Sequence, residues 1–198
     1  MSTTSNQLEN LANASEWMLL ALEQAERALS TGEAPIGCVL LRADGSLLSA
    51  GFNTMVATGN LVAHAEINAF ASAAGRTAEG EALIMVSSLE PCVMCTGAAM
   101  QAGVVTIVYA LKAPADSGTS RVKPPESPDS TLPKVIGNVK ADASRKLFTD
   151  WIERHAGDDS RKAQRRFIDQ LLTLTATVPI APRVAVTDLP YATRLANP

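Results

Sequence analysis

Two short clusters, His64-Ala65-Glu66 and Pro91-Cys92-Val93-Met94-Cys95, constrain this chain more than any other feature. They carry one imidazole, two thiols and one carboxylate. Cys92 and Cys95 are three residues apart, so on a helix both sulfurs share a face and can hold one metal ion. Pro91 stands just before that helix, where its missing N–H costs nothing. The helix N-terminus adds partial positive charge and unpaired N–H groups, which favour the thiolate form. His64 and Glu66 are only two apart and would face different sides of a regular helix, which puts the pair at an irregular first turn. Any fold of this chain must bring these two helix starts to one point.

His64, Cys92 and Cys95 offer nitrogen and sulfur donors suited to zinc, with Zn–S near about 2.3 Å and Zn–N near about 2.0 Å. A structural zinc is normally closed by four protein ligands. Here the fourth candidate is Glu66, a poor partner in a thiolate-rich closed site and a good proton shuttle. The pattern therefore predicts one Zn2+ per subunit with a position left open to water.

Along the chain, Asn13 with Glu16 reads as a capping box for a first helix. That helix has an apolar stripe at Met18, Leu22, Ala25 and Leu29 and stops near Gly32. Strands follow at Ile36 to Leu41 and Leu47 to Phe52, joined through the Asp44-Gly45 turn pair. A helix from about Ala63 to Ala74, a buried strand from Ala82 to Ser87, a helix from Val93 to Gln101 and a strand from Val104 to Ala110 come next. The order α-β-β-α-β-α-β implies a layered sheet covered by helices.

From Ala113 to Pro133 the composition turns to Pro, Ser and Gly, the mark of a long surface loop. Val135 to Val139 reads as a fifth strand. Ala141 to His155 reads as a helix burying Leu147, Phe148, Trp151 and Ile152. A further helix from Ser160 to about Thr175 carries Phe167, Ile168, Leu171 and Leu172. From Thr177 onward the prolines predict an extended arm or tail. The expected domain division is 1–156 for the main domain and 157–198 for a C-terminal helix and Pro-containing tail.

The bulk properties set limits. A chain of 198 residues, 46% hydrophobic and 19% charged, suits one globular domain with a full core. The net charge of −3 and pI near 5.4 weaken nucleic acid as a default partner, because phosphate affinity needs clustered Lys and Arg. Met1 to Glu9 has no signal-peptide pattern, and no apolar run is long enough for a bilayer, so no membrane role is expected. Three cysteines, two of them in a CxxC, argue for a reducing compartment, and the expected location is cytoplasmic.

The H-x-E and P-C-x-x-C pair is the zinc-deaminase signature, and the chain resembles the cytidine and deoxycytidylate deaminase superfamily. The resemblance extends to Ala34-Pro35-Ile36-Gly37, to Gly51-Phe52-Asn53 and to Leu89-Glu90 before Pro91. It is closest to the branch holding tRNA adenosine deaminases, guanine deaminases and cytosine deaminases, and covers roughly Ser15 to Ile152. It implies a cytidine deaminase-like α/β fold, a three-layer α/β/α sandwich around a five-stranded mixed sheet, with a C-terminal helical extension here. It also implies a homodimer with an interface near the site. Glu66 is then the catalytic residue, carrying protons from water to a ring nitrogen and to the leaving amine. Asn53 and the backbone N–H of Ala65 are the implied substrate contacts. Family members also cover their substrate with C-terminal aromatics, which would give Trp151 a lid role.

The reading that follows is a zinc-dependent hydrolytic deaminase of an amino-substituted purine or pyrimidine, as free base or nucleoside. A tRNA adenosine deaminase acting at the wobble position is the alternative, and a non-catalytic zinc-stabilised binding module the third. The segment after Tyr109 and the stretch Asn60-Leu61-Val62-Ala63 both depart from the tRNA enzymes' pattern, which favours the small heterocycle. Elsewhere, Cys38 reads as a core residue and Glu90 as a structural acceptor. His155 reads as a cation at a helix C-terminus. Arg161, Lys162, Arg165 and Arg166 read as a solvated face, with an RNA or anion contact the other option.

Overall fold

The computed structural model describes residues 3–124, 126, 132–176 and 183–185. Six strands form one mixed sheet in the order β2-β1-β3-β4-β5-β6. They are β1 (Gly37–Arg42), β2 (Leu47–Phe52), β3 (Leu83–Leu89), β4 (Val104–Leu111), β5 (Lys134–Gly137) and β6 (Arg183–Ala185). β1 runs antiparallel to both β2 and β3, while β3, β4 and β5 are mutually parallel neighbours and β6 returns antiparallel to β5.

Alternation along the strands builds the layers. On β1, Val39 and Leu41 join Met18, Ala21 and Leu22 of α1 (Thr3–Ser30) on one face. Cys38 and Leu40 join Ala65, Ala69 and Ala73 of α3 (Ala65–Ala73) on the other, with Ala99 of α4 (Val93–Gln101). β3 is buried at every position, as expected of a central strand with helices on both faces. α5 (Ala141–Arg154) lies on the α1 side, where Leu147 reaches the same core. This is the expected α/β/α sandwich.

The five expected strands are present. The short sixth strand comes from the segment expected to be an arm, and pairs Ile136 with Val184. The remainder of that segment lies outside the described residues. β5 stops at Gly137 because Asn138 and Lys140 both take left-handed backbone conformations, with φ of 63° and 55°. A parallel pair cannot be joined by a tight turn, which accounts for the long separation of β4 and β5 in sequence; residues 125 and 127–131 of the expected loop lie outside the described residues.

The first helix departs from expectation. It begins at Thr3, so Asn13 stands inside it and caps nothing. Gln7, Leu8, Glu9, Leu11 and Ala12 are good helix formers, and no Gly or Pro separates them from the predicted start. The helical turn α2 (Met55–Thr58) also has no counterpart in the sequence reading. Downstream, a 3-10 turn (Asp159–Arg161) leads into α6 (Lys162–Thr175), whose Ile168 and Leu171 are buried beside Phe148 and Trp151 of α5. Among the described residues no helix is long and apolar enough to cross a membrane.

Two glycines let helices touch the sheet. A Cβ on Gly37 would stand 2.3 Å from the Ala21 carbonyl oxygen in α1, and one on Gly51 would stand 2.4 Å from the Ala69 nitrogen and 2.6 Å from the Ala65 oxygen in α3. Both replacements by alanine should therefore lower stability by about 1–3 kcal/mol in denaturant unfolding. Only Gly51→Ala pushes on the helix that follows His64, so it alone should also weaken zinc retention against a chelator. Equal zinc retention in the two variants would refute that coupling.

Candidate metal centre and active site

β3 delivers the chain at Leu89, and Pro91 and Cys92 follow before α4 begins. Cys92 is the N-cap of α4, with extended backbone (φ −69°, ψ 175°), and Cys95 is buried in its first turn. His64 is the N-cap of α3 in a similar conformation (φ −69°, ψ 156°), and Glu66 lies one residue into that helix. The HxE pair is therefore at a helix start, as its spacing required. Because His64 is non-helical, it and Glu66 can turn toward the same point.

The imidazole Nδ1 of His64 is 3.7 Å from Cys92 Sγ and 3.6 Å from Cys95 Sγ. Tetrahedral zinc with ordinary Zn–N and Zn–S bonds sets its nitrogen and sulfur ligands about 3.6 Å apart. One nitrogen and two sulfurs within 4.8 Å of one another fit a zinc ion in both chemistry and spacing. Glu66 Oε2 accepts from Cys95 Sγ at 3.4 Å and Oε1 accepts from Ser87 Oγ at 3.1 Å, so the carboxylate adjoins the ligands.

Charge is strongly redistributed here. Cys92, accepting a hydrogen bond from Cys95 and another from His64, is held down to about 4. Cys95 is pushed far up, first by donating to Cys92 and then by burial. Its hydrogen bond with Cys92 raises His64. Burial raises Glu66, despite its proximity to His64. Cys38, fully buried in β1, has a thiol pushed well up by burial and stays a core residue.

A cavity of about 300 Å³ opens onto this centre, walled in part by His64, Glu66, Cys92, Asn53, Asp116 and Phe167. Asn53 is 2% exposed and donates through Nδ2 to Glu33 Oε2 at 3.2 Å. A carboxylate only accepts, so this contact assigns the amide and leaves Asn53 Oδ1 as an acceptor. Glu33 also takes the Ala57 N–H at 2.7 Å. Asn68, three contacts strong, ties Phe52 O, Thr54 Oγ1 and Ala63 O to α3. These two side chains hold the loop between Asn53 and His64. The sequence reading passed over both, because polar residues beside a glycine turn or inside a helix carry no pattern of their own.

Ala65 is buried at the first position of α3, its side chain in the core, and the cavity wall passes to its neighbours His64 and Glu66. Glu90, 3% exposed, accepts from the Ala113 N–H at 3.0 Å and from Ser117 and Thr119, as expected of a structural acceptor. It thereby fixes the loop that carries Asp116, a residue the sequence reading did not single out. Burial, then the nearby Cys92, raises the Asp116 carboxyl.

Trp151 is no lid. It is fully buried, stacks on His155 at 4.2 Å and donates through Nε1 to Gly32 O. His155 contacts the Trp151 carbonyl through Nδ1 at 2.8 Å, at the C-terminus of α5. The aromatic on the cavity wall is Phe167 of α6, which sequence placed only on a core stripe. In the basic cluster, Arg161 faces Asp158 and Arg165 faces Asp159, each at 4.0 Å.

Residues 11–111 match the family described as the cytidine and deoxycytidylate deaminase zinc-binding region. The chain belongs to that family. Among its relatives is a tRNA(Ile)-lysidine synthase of Deinococcus radiodurans, 36% identical over 135 residues, which cover 66% of this chain and 23% of that protein. Another is a tRNA-specific adenosine deaminase of Streptococcus pyogenes serotype M18, 32% identical over 102 residues, covering 50% of this chain and 64% of that enzyme. The chain thus spans less than two thirds of the length of either relative. A solved guanine deaminase from Nitrosomonas europaea superposes with a TM-score of 0.56 at 25% identity, over 69% of this chain and 83% of that one. The family's zinc-binding region contains both clusters, and His64, Cys92 and Cys95 are the residues that could hold that zinc.

Metal binding should release protons. Cys92 is already a thiolate at neutral pH, whereas Cys95 must give up its proton and His64 any that it holds. Zinc titration of the metal-free protein at pH 7 should release between about one and two protons per ion, read by calorimetry in buffers of different ionisation enthalpy. Glu66 adds a sign of its own. A carboxyl raised by burial stabilises the fold below its ordinary value of 4.5 and loses that contribution as pH rises through the raised value. Metal-free Glu66→Gln should therefore be more stable than wild type at pH 7.5, with the advantage vanishing toward pH 4 in urea unfolding.

Proposed function

We propose that this protein is a zinc-dependent hydrolytic deaminase of a small amino-heterocycle, a purine or pyrimidine as free base or nucleoside. The observation that carries the reading is the single cavity onto which the zinc ligands His64 and Cys92, the carboxylate of Glu66 and the amide of Asn53 all open. At about 300 Å³ it has the size of a small-molecule site. Its wall is completed by α6 of the same chain, which leaves less room for a base still attached to a folded RNA.

When bound, zinc supplies the Lewis acidity that makes hydroxide available near pH 7. Glu66 takes the proton of the attacking water. The carboxyl then gives the proton to a ring nitrogen next to the carbon bearing the amine. A second transfer through Glu66 protonates the amine, which leaves as ammonia while a carbonyl forms. Water and amino-heterocycle are consumed, ammonia and oxo-heterocycle are made, and Glu66 ends as it began. Asn53 Oδ1 accepts from an N–H of the ring. Asp116 offers a second acceptor on the same wall. The N–H of Ala65, at the unpaired start of α3, is the remaining contact carried by the resemblance.

The same reading carries a homodimer. Leu61, Val62 and Val93, exposed beside the two ligand-bearing helix starts, are the residues such an interface would cover. The three unpaired cysteines suit the reducing cytoplasm. A second reading, adenosine deamination in a tRNA anticodon, is favoured by the match to the Streptococcus pyogenes enzyme. The pairing of Arg161 and Arg165 with aspartates works against it, since those cations are partly neutralised.

Ammonia release should be measured on guanine, adenine, cytosine, their nucleosides and a tRNA with adenosine at the wobble position. Turnover is expected on a free base or nucleoside. Glu66→Ala should keep its zinc yet lose about 100- to 10,000-fold in kcat, the range of a general acid–base group. Turnover on tRNA alone would replace this reading with the second one, and normal turnover in Glu66→Ala would remove the role of Glu66.

A further inference from the structure

α6 lies wholly beyond residues 11–111, the stretch shared with the zinc-binding family. It presents two faces. Ile168, Leu171 and Thr175 follow one another at helical spacing and are buried toward α5. Ala163, Gln164 and Phe167 form the other stripe and wall the cavity that holds His64 and Glu66. Arg145 of α5 fastens the far end of the helix through Leu172 O and Thr175 Oγ1. The helix is therefore a fixed wall, and its cavity stripe is set against whatever occupies the cavity.

Gln164 Oε1 accepts from Arg161 Nη1 at 3.4 Å. A guanidinium only donates, so this contact assigns the amide and leaves Gln164 Nε2 as a donor. Arg161 is itself restrained by Asp158. Asn53 Oδ1, after its bond to Glu33, and the carboxylates of Glu66 and Asp116 give the wall acceptors of the opposite character. An amino-heterocycle carries both N–H groups and lone pairs. The acceptors on the wall answer the first, and Gln164 answers the second. Phe167, one turn further along α6, adds an aromatic face for a planar ring.

We infer that Gln164 is a specificity-determining residue of this site: its Nε2, oriented by Arg161, donates to a ring nitrogen or carbonyl oxygen of the heterocycle. The inference rests on the deaminase reading above for the class of ligand. A site built to donate at one edge rejects a ring that lacks the acceptor there, because a donor the ring covers is then left unpaired. Gln164 therefore sets which base is accepted, and Glu66 does the proton transfer on whichever base that is.

The test is kcat/KM for guanine, adenine, cytosine and their nucleosides in wild type, Q164L, Q164E and R161A. It is paired with equilibrium dialysis of the three bases against zinc-loaded protein in an E66A background. Q164E puts an acceptor where the donor was. It should cost the best wild-type substrate about 10- to 100-fold, the loss of one to two tenfold steps for an unpaired contact. It should also change the order of preference, with zinc content and circular dichroism unchanged. R161A should shift the same substrate in the same direction and add nothing in a Q164L background. If both Gln164 variants scale all substrates equally, or change none, the inference is overturned. If wild type releases ammonia from no free heterocycle, the deaminase reading fails separately. Dialysis then decides: a changed order of base affinities in Q164E upholds the Gln164 contact, and an unchanged order or no bound base overturns it.

Discussion

The convergence of two helix N-termini at the carboxyl end of β3 is the constraint on which the rest of this structure depends. His64 caps α3 and Cys92 caps α4, so each ligand-bearing residue sits at the positive end of a helix dipole. The hydrogen bond from the Cys95 thiol, then those from His64 and the Cys95 N–H, hold Cys92 well below its ordinary value of 9.0. Half of the charge needed to bind a divalent cation is thus in place before the cation arrives. The edge where β1 runs against β3 is also where the parallel part of the sheet begins, and clefts form beyond the carboxyl ends of such strands.

Holding two helix starts together within a few ångströms requires close packing. α3 lies directly on β2 at Gly51, and α1 lies directly on β1 at Gly37. Above this apolar base, two buried carboxylates, Glu33 and Glu90, and the half-buried amide of Asn68 set the loops. Asn68 ties down the approach to His64, Glu33 orients Asn53 and anchors α2, and Glu90 gathers the chain around Asp116. Removing one partner from such a contact leaves a buried group unsatisfied at about 1–3 kcal/mol. Each loop is therefore held in a single conformation, and the cavity wall inherits that rigidity.

The parts legible in the sequence were those with a period or a ligand set. The strand and helix alternation, the Gly ends of α1 and α3 and the two metal clusters all carry local signals, and the structure follows them. The start of α1 was hidden because Asn13 and Glu16 make a plausible cap in a segment whose preceding residues are equally good helix formers. β6 was hidden because three residues among prolines have no pattern until β5 offers its free edge. Trp151 and Phe167 share the same helical periodicity in sequence. Only the packing of α6 on α5 decides that the larger ring fills the core and the smaller one reaches the cavity.

That last distinction bears on substrate class. His64, Cys92, Cys95 and Glu66 lie within the part of the chain shared with the family, and the chemistry proposed for them leaves the substrate open. The loop bearing Asp116 begins where that shared part ends, and α6 lies beyond it. Part of the cavity wall is thus supplied by segments outside the stretch shared with the family. A wall contributed by a helix anchored at Arg145 and Ile168 has little freedom to swing aside for a folded RNA. It can grip a planar ring between Phe167 and the ligands. Of the four basic side chains at its start, Arg161 faces Asp158 and Gln164 and Arg165 faces Asp159, which partly offsets their charge. Rigidity and the partial pairing of Arg161 and Arg165 thus fit the proposed occupant, a small heterocycle, better than a folded RNA.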